Sequence, residues 1–233
     1  MQKKTLVVTD NPRGLALAHE LDRLHGGIDI HQSLNGPLPG IPRLDVRTGA
    51  AAVIAAYDLV LSIHCKQIFP PELVGGVRCV NVHPGLNPHN RGWFPQVFSI
   101  LNGLPGGVTI HEMDEQLDHG PIIVQRECRI ESWDTSGSAY ERIMALEREL
   151  LLEWFVAIRG GAYVAVPPAA AGNVNLKGDF DRVKRIDRAE RGTFGGFLDR
   201  LRALTHGDHR NAFFIDAAGR KVFVRISLEP DDS

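Results

Sequence analysis

Apolar positions along this chain follow two rhythms. In TLVVT (5–9), IDIHQS (28–33), LVLSI (59–63) and RCVNVH (78–83), short runs rich in β-branched residues sit between Gly, Pro, Asp and Asn, the signature of strands. DNPRGLALAHELDRL (10–24) and RTGAAAVIAAY (47–57) read as helices. The first has a cap in Asp10 or Asn11, a Pro near its first turn, and Gly26 and Gly27 at its close. Strand and helix alternate as β-α-β-α-β, which predicts an α/β fold with a parallel sheet wound by helices.

VTIHEM (108–113) and IIVQRECRI (122–130) add two strands around the polar loop DEQLDHGP (114–121). The longest helix follows. Ser138 and Glu141 have capping-box spacing, and Tyr140, Ile143, Met144, Leu151, Trp154, Phe155 and Ile158 recur at three- and four-residue intervals as its core face, until Gly160 and Gly161. VPPAAAGNVN (166–175) has linker composition. RGTFGGFLDRLRAL (191–204) then reads as a helix, and AFFIDAAGRKVFVRISL (212–228) as a hairpin turning near Gly219. The expected organisation is a core over 1–172 and a small helix-and-hairpin region over 173–233. The hairpin's alternating apolar residues have a face to cover, against their own core or against a second copy.

Composition narrows the function. With 43% hydrophobic and 23% charged residues and a net charge of −2, the chain is ordinary globular material without the basic footprint of a nucleic-acid binder. Cys65, Cys79 and Cys128 have no CxxC spacing, so neither a disulfide framework nor a zinc knuckle is expected, and the reducing cytoplasm is the natural compartment. The opening residues meet Asp10 and Pro12 before a leader-like apolar stretch develops, and no run approaches the ~20 apolar residues of a membrane span.

The chemistry concentrates in VNVHPGLNPHNRGWFPQ (80–96). Asn81 and His83 lie two apart at a strand's end, so they share a side of the sheet, and in open parallel sheets ligands bind beyond the strands' carboxyl ends. An amide N–H can donate to a developing oxyanion while an imidazole exchanges a proton with the attacking group, the division of labour that acyl transfer needs. Asp118, in LDHGP, is the best-placed carboxylate to hold the imidazole and raise its pKa, with Asp114 next. The bland alternative is that these polar residues only satisfy loop backbone. A metal site is the rival use, since His64, His83, His89, His111 and His119 fall within one quarter of the chain; none has zinc-site spacing, and no metal is expected.

NVHPGLNP followed by NRG, and then LDHGPIIV, resembles the formyltransferases that use N10-formyltetrahydrofolate, over about residues 5–160. The longer strings HCKQIFP, NPHNRGWFPQVFSILNGLPGGVTIHEMDEQLDHGPI and LRALTHGDHRNAFF are similar to the small sugar N-formyltransferases, above all those acting on dTDP-4-amino-4,6-dideoxyglucose in surface-glycan or O-antigen synthesis. The resemblance implies a Rossmann-like core, N10-formyltetrahydrofolate as co-substrate, a nucleotide sugar as partner, a homodimer built on the carboxyl-terminal part, and direct transfer. Asn81, His83 and Asp118 would be its catalytic triad, with His83 as base and Asn81 steadying the oxyanion. It further implies a folate site along Cys65, Lys66, Gln67 and Ile68 and the loop from Asp114. For the nucleotide sugar the candidates are Arg91 and Asn11 toward the diphosphate, and Trp93 and Phe94 as stacking surfaces. A folate-dependent hydrolase that releases formate, or an inactive nucleotide-sugar or folate binding module, are the alternatives.

Overall fold

The computed structural model describes residues 4–231; the three residues that open the chain and the last two lie outside that range, including the start of the stretch read for a leader. In chain order the elements are β1 (Thr5–Val8), α1 (Pro12–His25), β2 (Ile28–Ser33), β3 (Arg43–Leu44), α2 (Ala50–Ala56), β4 (Leu59–Ile63), α3 (Pro71–Gly76) and β5 (Arg78–His83). There follow β6 (Arg91–Gly92), α4 (Pro95–Asn102), β7 (Gly107–Glu112), β8 (Ile122–Glu127), α5 (Ser136–Gly160), β9 (Val174–Asn175), α6 (Lys177–Lys184), α7 (Phe194–Leu204), β10 (Phe213–Ile215) and β11 (Lys221–Phe223).

A seven-stranded sheet in the order β3-β2-β1-β4-β5-β7-β8 carries the molecule. Its first five strands pair in parallel, whereas β7 runs antiparallel to both β5 and β8. The fold is thus the mixed, mostly parallel α/β sandwich that the sequence pattern predicts. Strand alternation assigns the two faces. Leu59, Leu61, Ile63, Val80 and Val82 pack beneath α1 and α5 with Leu17, Leu21, Leu150, Leu151 and Phe155. The intervening Val60 and Cys79 join Leu6, Val8, Val53, Phe69 and Leu73 beneath α2 and α3.

The long helix begins one turn earlier than the Ser138/Glu141 spacing implies. Thr135 is its cap, accepting from the Ser138 N–H, and the Ser138 hydroxyl accepts in return from the Thr135 N–H. Asp134 fixes this corner by binding Arg142 and the Ser138 hydroxyl. Of the residues read as its core face, Ile143, Met144, Leu151, Phe155 and Ile158 are buried, while Tyr140 and Trp154 are half-buried at the edges.

A third cluster joins α4, α6 and α7 through Val97, Phe98, Phe180, Ala203 and Leu204. This cluster seats the carboxyl-terminal helices and the β10–β11 hairpin beside the sheet's carboxyl edge. The segment 166–175, linker-like in composition, is tied down: β9 pairs in parallel with β6, and Val166 bridges Ile122.

Candidate active site

The chain turns back at β1 and β4, the switch point where strand order reverses, and the carboxyl ends of β1, β4 and β5 open together into a cavity of about 900 Å³. Val80 and Val82 point into the α1/α5 core, so Asn81 and His83 point to the opposite side and both reach the cavity. Asp118 comes to meet them from the 114–121 loop. Its backbone is left-handed (φ 47°), and its carbonyl accepts from the Asn87 amide at 2.8 Å.

The Asp118 carboxylate organises the group. One oxygen accepts from Asn81 Nδ2 at 2.8 Å; the other accepts from the Gly92 N–H at 2.9 Å and faces His83 Nδ1 at 3.4 Å. His111, opposite Asn81 on β7, closes the ring of contacts. Its Nδ1 faces the Glu112 carbonyl at 2.7 Å, and its Nε2 lies 3.3 Å from Asn81 Nδ2 and 3.8 Å from the Asp118 carboxylate.

Burial would push the Asp118 carboxyl up, but His83, His111 and the Gly92 N–H outweigh it and hold the pKa down at about 2. For His83 the balance goes the other way. Burial pushes its imidazole below the ordinary value, Asp118 opposes this, and the neighbouring His111 and His64 reinforce it. The sequence-based expectation of a raised pKa is corrected here, because the residue is 4% exposed and desolvation dominates. A neutral imidazole whose Nδ1–H faces Asp118 presents the Nε2 lone pair, and Nε2 is buried without a hydrogen-bond partner among the described residues. Gly85 leaves room beside that nitrogen: a methyl group at residue 85 would collide with His83 Nε2. The arrangement pairs a ring nitrogen that can accept a proton with an amide donor on the same side of the sheet, the pairing that group transfer at a carbonyl needs.

A buried pair absent from the sequence-based site sits one strand over. His64 follows Ile63, which pairs with Val82, so its imidazole stands beside His83 at the sheet edge. Its Nε2 lies 2.8 and 3.0 Å from the two oxygens of Glu147, which is 2% exposed, and its backbone is left-handed (φ 56°). Burial opposes the charged ring, but Glu147 prevails and the His64 pKa rises. A signal existed: Glu147 falls on α5's apolar stripe, four residues after Ile143 and four before Leu151, where a carboxylate needs a reason.

Cys65, Lys66, Gln67, Ile68, Asp114, Asn11, Trp93 and Phe94 all line the cavity with the triad. Burial pushes the Cys65 thiol up to about 12, so it is no nucleophile. Gln67 braces the wall, accepting from the Val46 N–H and donating to the Leu44 carbonyl. The Lys66 backbone N–H donates to buried Asp10, whose other oxygen accepts from the Ser33 N–H. Asn11 caps α1 and reaches the Tyr140 hydroxyl at 3.4 Å. Phe94, also left-handed, packs on Phe180 of α6, with ring centroids 4.3 Å apart.

Two readings change. Arg91 is not on the cavity wall; it is buried, and its guanidinium donates to the carbonyls of Leu117 and Ala171, lashing the Asp118 loop to the 166–175 segment. Asp114 pairs with His119 at 2.7 Å and plays no part in holding His83. Among the described residues there is no group of three or more His, Cys, Asp or Glu arranged to hold a metal ion.

This constellation, on this fold, defines a group-transfer enzyme working on a carbonyl. Comparison with known proteins narrows the class. Residues 46–155 match the formyl transferase family model, and residues 179–230 match the N-formyltransferase dimerization C-terminal domain. A dTDP-4-amino-4,6-dideoxyglucose formyltransferase of Mycobacterium bovis is 64% identical over 226 residues, 97% of each chain. A solved Mycobacterium tuberculosis structure superposes with a TM-score of 0.97 at 63% identity, covering 99% of this chain and 100% of that one. The formyltransferase PseJ of Anoxybacillus kamchatkensis, solved with UDP-4,6-dideoxy-4-formamido-L-AltNAc and tetrahydrofolate, aligns at 26% identity and a TM-score of 0.62, over 77% of this chain and 88% of that one. The chain belongs to the formyl transferase family.

Proposed function

We propose that this enzyme moves the formyl group of N10-formyltetrahydrofolate to the amine of a dTDP-linked aminodideoxy sugar, dTDP-4-amino-4,6-dideoxyglucose, on the way to a surface glycan such as O-antigen. The observation that carries this reading is the convergence of Asn81, His83 and Asp118 at the head of a cavity large enough for two sizeable ligands. The 64% identical relative supports the choice of acceptor.

The residues fit a folate co-substrate. The walls at 65–68 and 113–118 offer loop backbone to a pterin ring, and His83, whose buried Nε2 has no hydrogen-bond partner among the described residues, lines the same cavity. When bound, the folate supplies an electrophilic formyl carbon on a nitrogen leaving group. Asn81, pinned by Asp118 through one amide hydrogen, turns the other from its long contact with His111 to the oxygen on which charge develops. His83 Nε2 takes the proton of the attacking amine and can return it to the departing nitrogen, while Asp118 holds the tautomer and balances the imidazolium.

We also infer a homodimer formed through the carboxyl-terminal part, in keeping with the domain matched at 179–230 and with exposed Ile215 and Phe223 on the hairpin. The compartment we assign is the cytoplasm; among the described residues no helix is long and apolar enough to cross a membrane. The test is incubation with N10-formyltetrahydrofolate and a panel of dTDP- and GDP-aminosugars. A one-formyl mass gain on the dTDP-4-amino sugar is expected, and formate release independent of any acceptor would overturn the reading in favour of a hydrolase.

A further inference from the structure

Two histidine–carboxylate couples stand side by side at the carboxyl edge of the sheet, His83–Asp118 at the end of β5 and His64–Glu147 just past β4, and the chemistry above uses only the first. Leu59, Leu61 and Ile63 face α1 and α5 while Val60 faces α2 and α3, so strand alternation would send residue 64 toward α2 and α3. The ring instead meets Glu147 on α5, and the left-handed backbone of His64 (φ 56°) accounts for the change of side. A non-glycine residue seldom adopts that conformation unless its surroundings hold it there. Glu147 is as unusual, a carboxylate 2% exposed on the apolar stripe of a helix.

The two couples are set in opposite senses. His83 Nε2 is buried without a hydrogen-bond partner among the described residues, and burial holds that ring below its ordinary value in spite of Asp118. At His64 burial works in the same direction, but contacts of 2.8 and 3.0 Å to both oxygens of Glu147 overcome it and the pKa rises. On the elements packed about His64 the titratable groups are Glu147 and Tyr140 of α5, His83 of β5, Asp10 at the end of β1, and Cys65 and Lys66 of its own loop. Among the described residues Glu147 alone pairs with it. Because Glu147 holds Nε2, the hydrogen that the charged ring can give up is the one on Nδ1. That nitrogen forms no hydrogen bond among the described residues, on a side chain 11% exposed that lines the cavity with His83.

We propose that His64 is the acid of the reaction and Glu147 its positioning residue: His64 Nδ1 hands its proton to the nitrogen that leaves the formyl group, while His83 Nε2 takes the proton of the attacking amine. The inference deepens the formyl-transfer reading above and rests on it. One carbon–nitrogen bond forms, to the amine, and one breaks, to N10; His83 ends charged and His64 neutral, and exchange with water restores both after the products leave. Titratable groups pushed apart in proton affinity are how one site keeps an acid and a base ready at the same pH. His83 is then spared from carrying a single proton between two nitrogens.

The test follows histidine ring signals by NMR in the ligand-free enzyme and kcat/KM for formyl transfer across pH. It compares the parent, Glu147→Gln, His64→Gln and His64→Gln/Glu147→Gln, with a melting curve for each; in the double variant two amides replace the couple, so no lone buried carboxylate is left. A ring signal absent from His64→Gln should titrate above the ordinary ~6.5 of histidine in the parent, and at least about one unit lower in Glu147→Gln. The parent's kcat/KM should show a basic limb at the same pH, displaced equally in Glu147→Gln. The substrate amine and His83 shape only the acid limb, since both must be unprotonated to react. In the double variant the plateau should fall at least about 100-fold and the basic limb should vanish. A His64 signal at or below the ordinary value, a basic limb that stays in place in Glu147→Gln, or turnover within about tenfold of the parent in a folded double variant would overturn the proposal even where the sugar is formylated. Absence of formylated sugar from the parent at every pH is a distinct result that removes the formyl-transfer reading itself and leaves the ring titration as found.

Discussion

Replacing Asp118 by Asn tests the wiring of the site more sharply than removing it. The two carboxylate oxygens accept from Asn81 Nδ2 and the Gly92 N–H and face His83 Nδ1. An amide has one acceptor end, so either orientation sets NH2 against a donor. With its NH2 toward Asn81, the Asn81 amide is pushed out of place. With its NH2 toward Gly92 and His83, the imidazole is driven to the tautomer that hydrogenates Nε2 and cannot accept a proton there. The first outcome costs ~100- to 1,000-fold and the second ~100- to 10,000-fold in rate. We expect kcat to fall about 1,000-fold, equivalent to about 4 kcal/mol of barrier, with KM for both substrates within a few-fold. The assay is steady-state formyl transfer across pH, beside a melting curve showing the variant folded. The Asp118 charge raises the His83 pKa against burial, so its removal also moves the acid limb of kcat/KM to lower pH. Turnover within tenfold of the parent in a folded Asp118→Asn enzyme would refute the reasoning.

Gly85→Ala should lower kcat by at least about 100-fold with little loss of stability, because its methyl meets His83 Nε2; activity assays beside thermal melts check this. Phe155→Ala, at a fully buried position under the sheet, should cost about 3–5 kcal/mol in urea unfolding. Asp118, with its pKa held at about 2 in the fold, gives stability that is present above its ordinary carboxylate range and lost as pH falls through about 2. Acid unfolding of the parent should therefore show a component of about 2 kcal/mol between roughly pH 4 and pH 2 that Asp118→Asn lacks.

The sheet was readable in the sequence because β1 and β4 are short, almost wholly apolar runs buried on both faces, as in LVLSI. Asn81 and His83 were readable as a candidate pair from their spacing at a strand end, and Asp118 as the loop carboxylate placed to meet them, a reading to which the resemblance of LDHGP then added. What escaped reading depended on distant partners. Helix α6 buries Phe180 alone among charged residues, so no apolar stripe announces it. The two-residue pairing of β6 with β9 arises only when 174–175 returns to 91–92. Arg91 was assigned to phosphate because a guanidinium in a loop beside a site invites that reading; its carbonyl partners at Leu117 and Ala171 have no sequence signature. Likewise the His83 pKa was taken from its partner's charge, while the depth of burial that reverses the sign is a property of the fold.

Single-turnover formyl transfer by His83→Ala tests the central assignment most directly. A folded variant slowed ~100- to 10,000-fold, and partly restored by added imidazole, is what a proton-accepting Nε2 requires. Near-parental turnover without imidazole would contradict it.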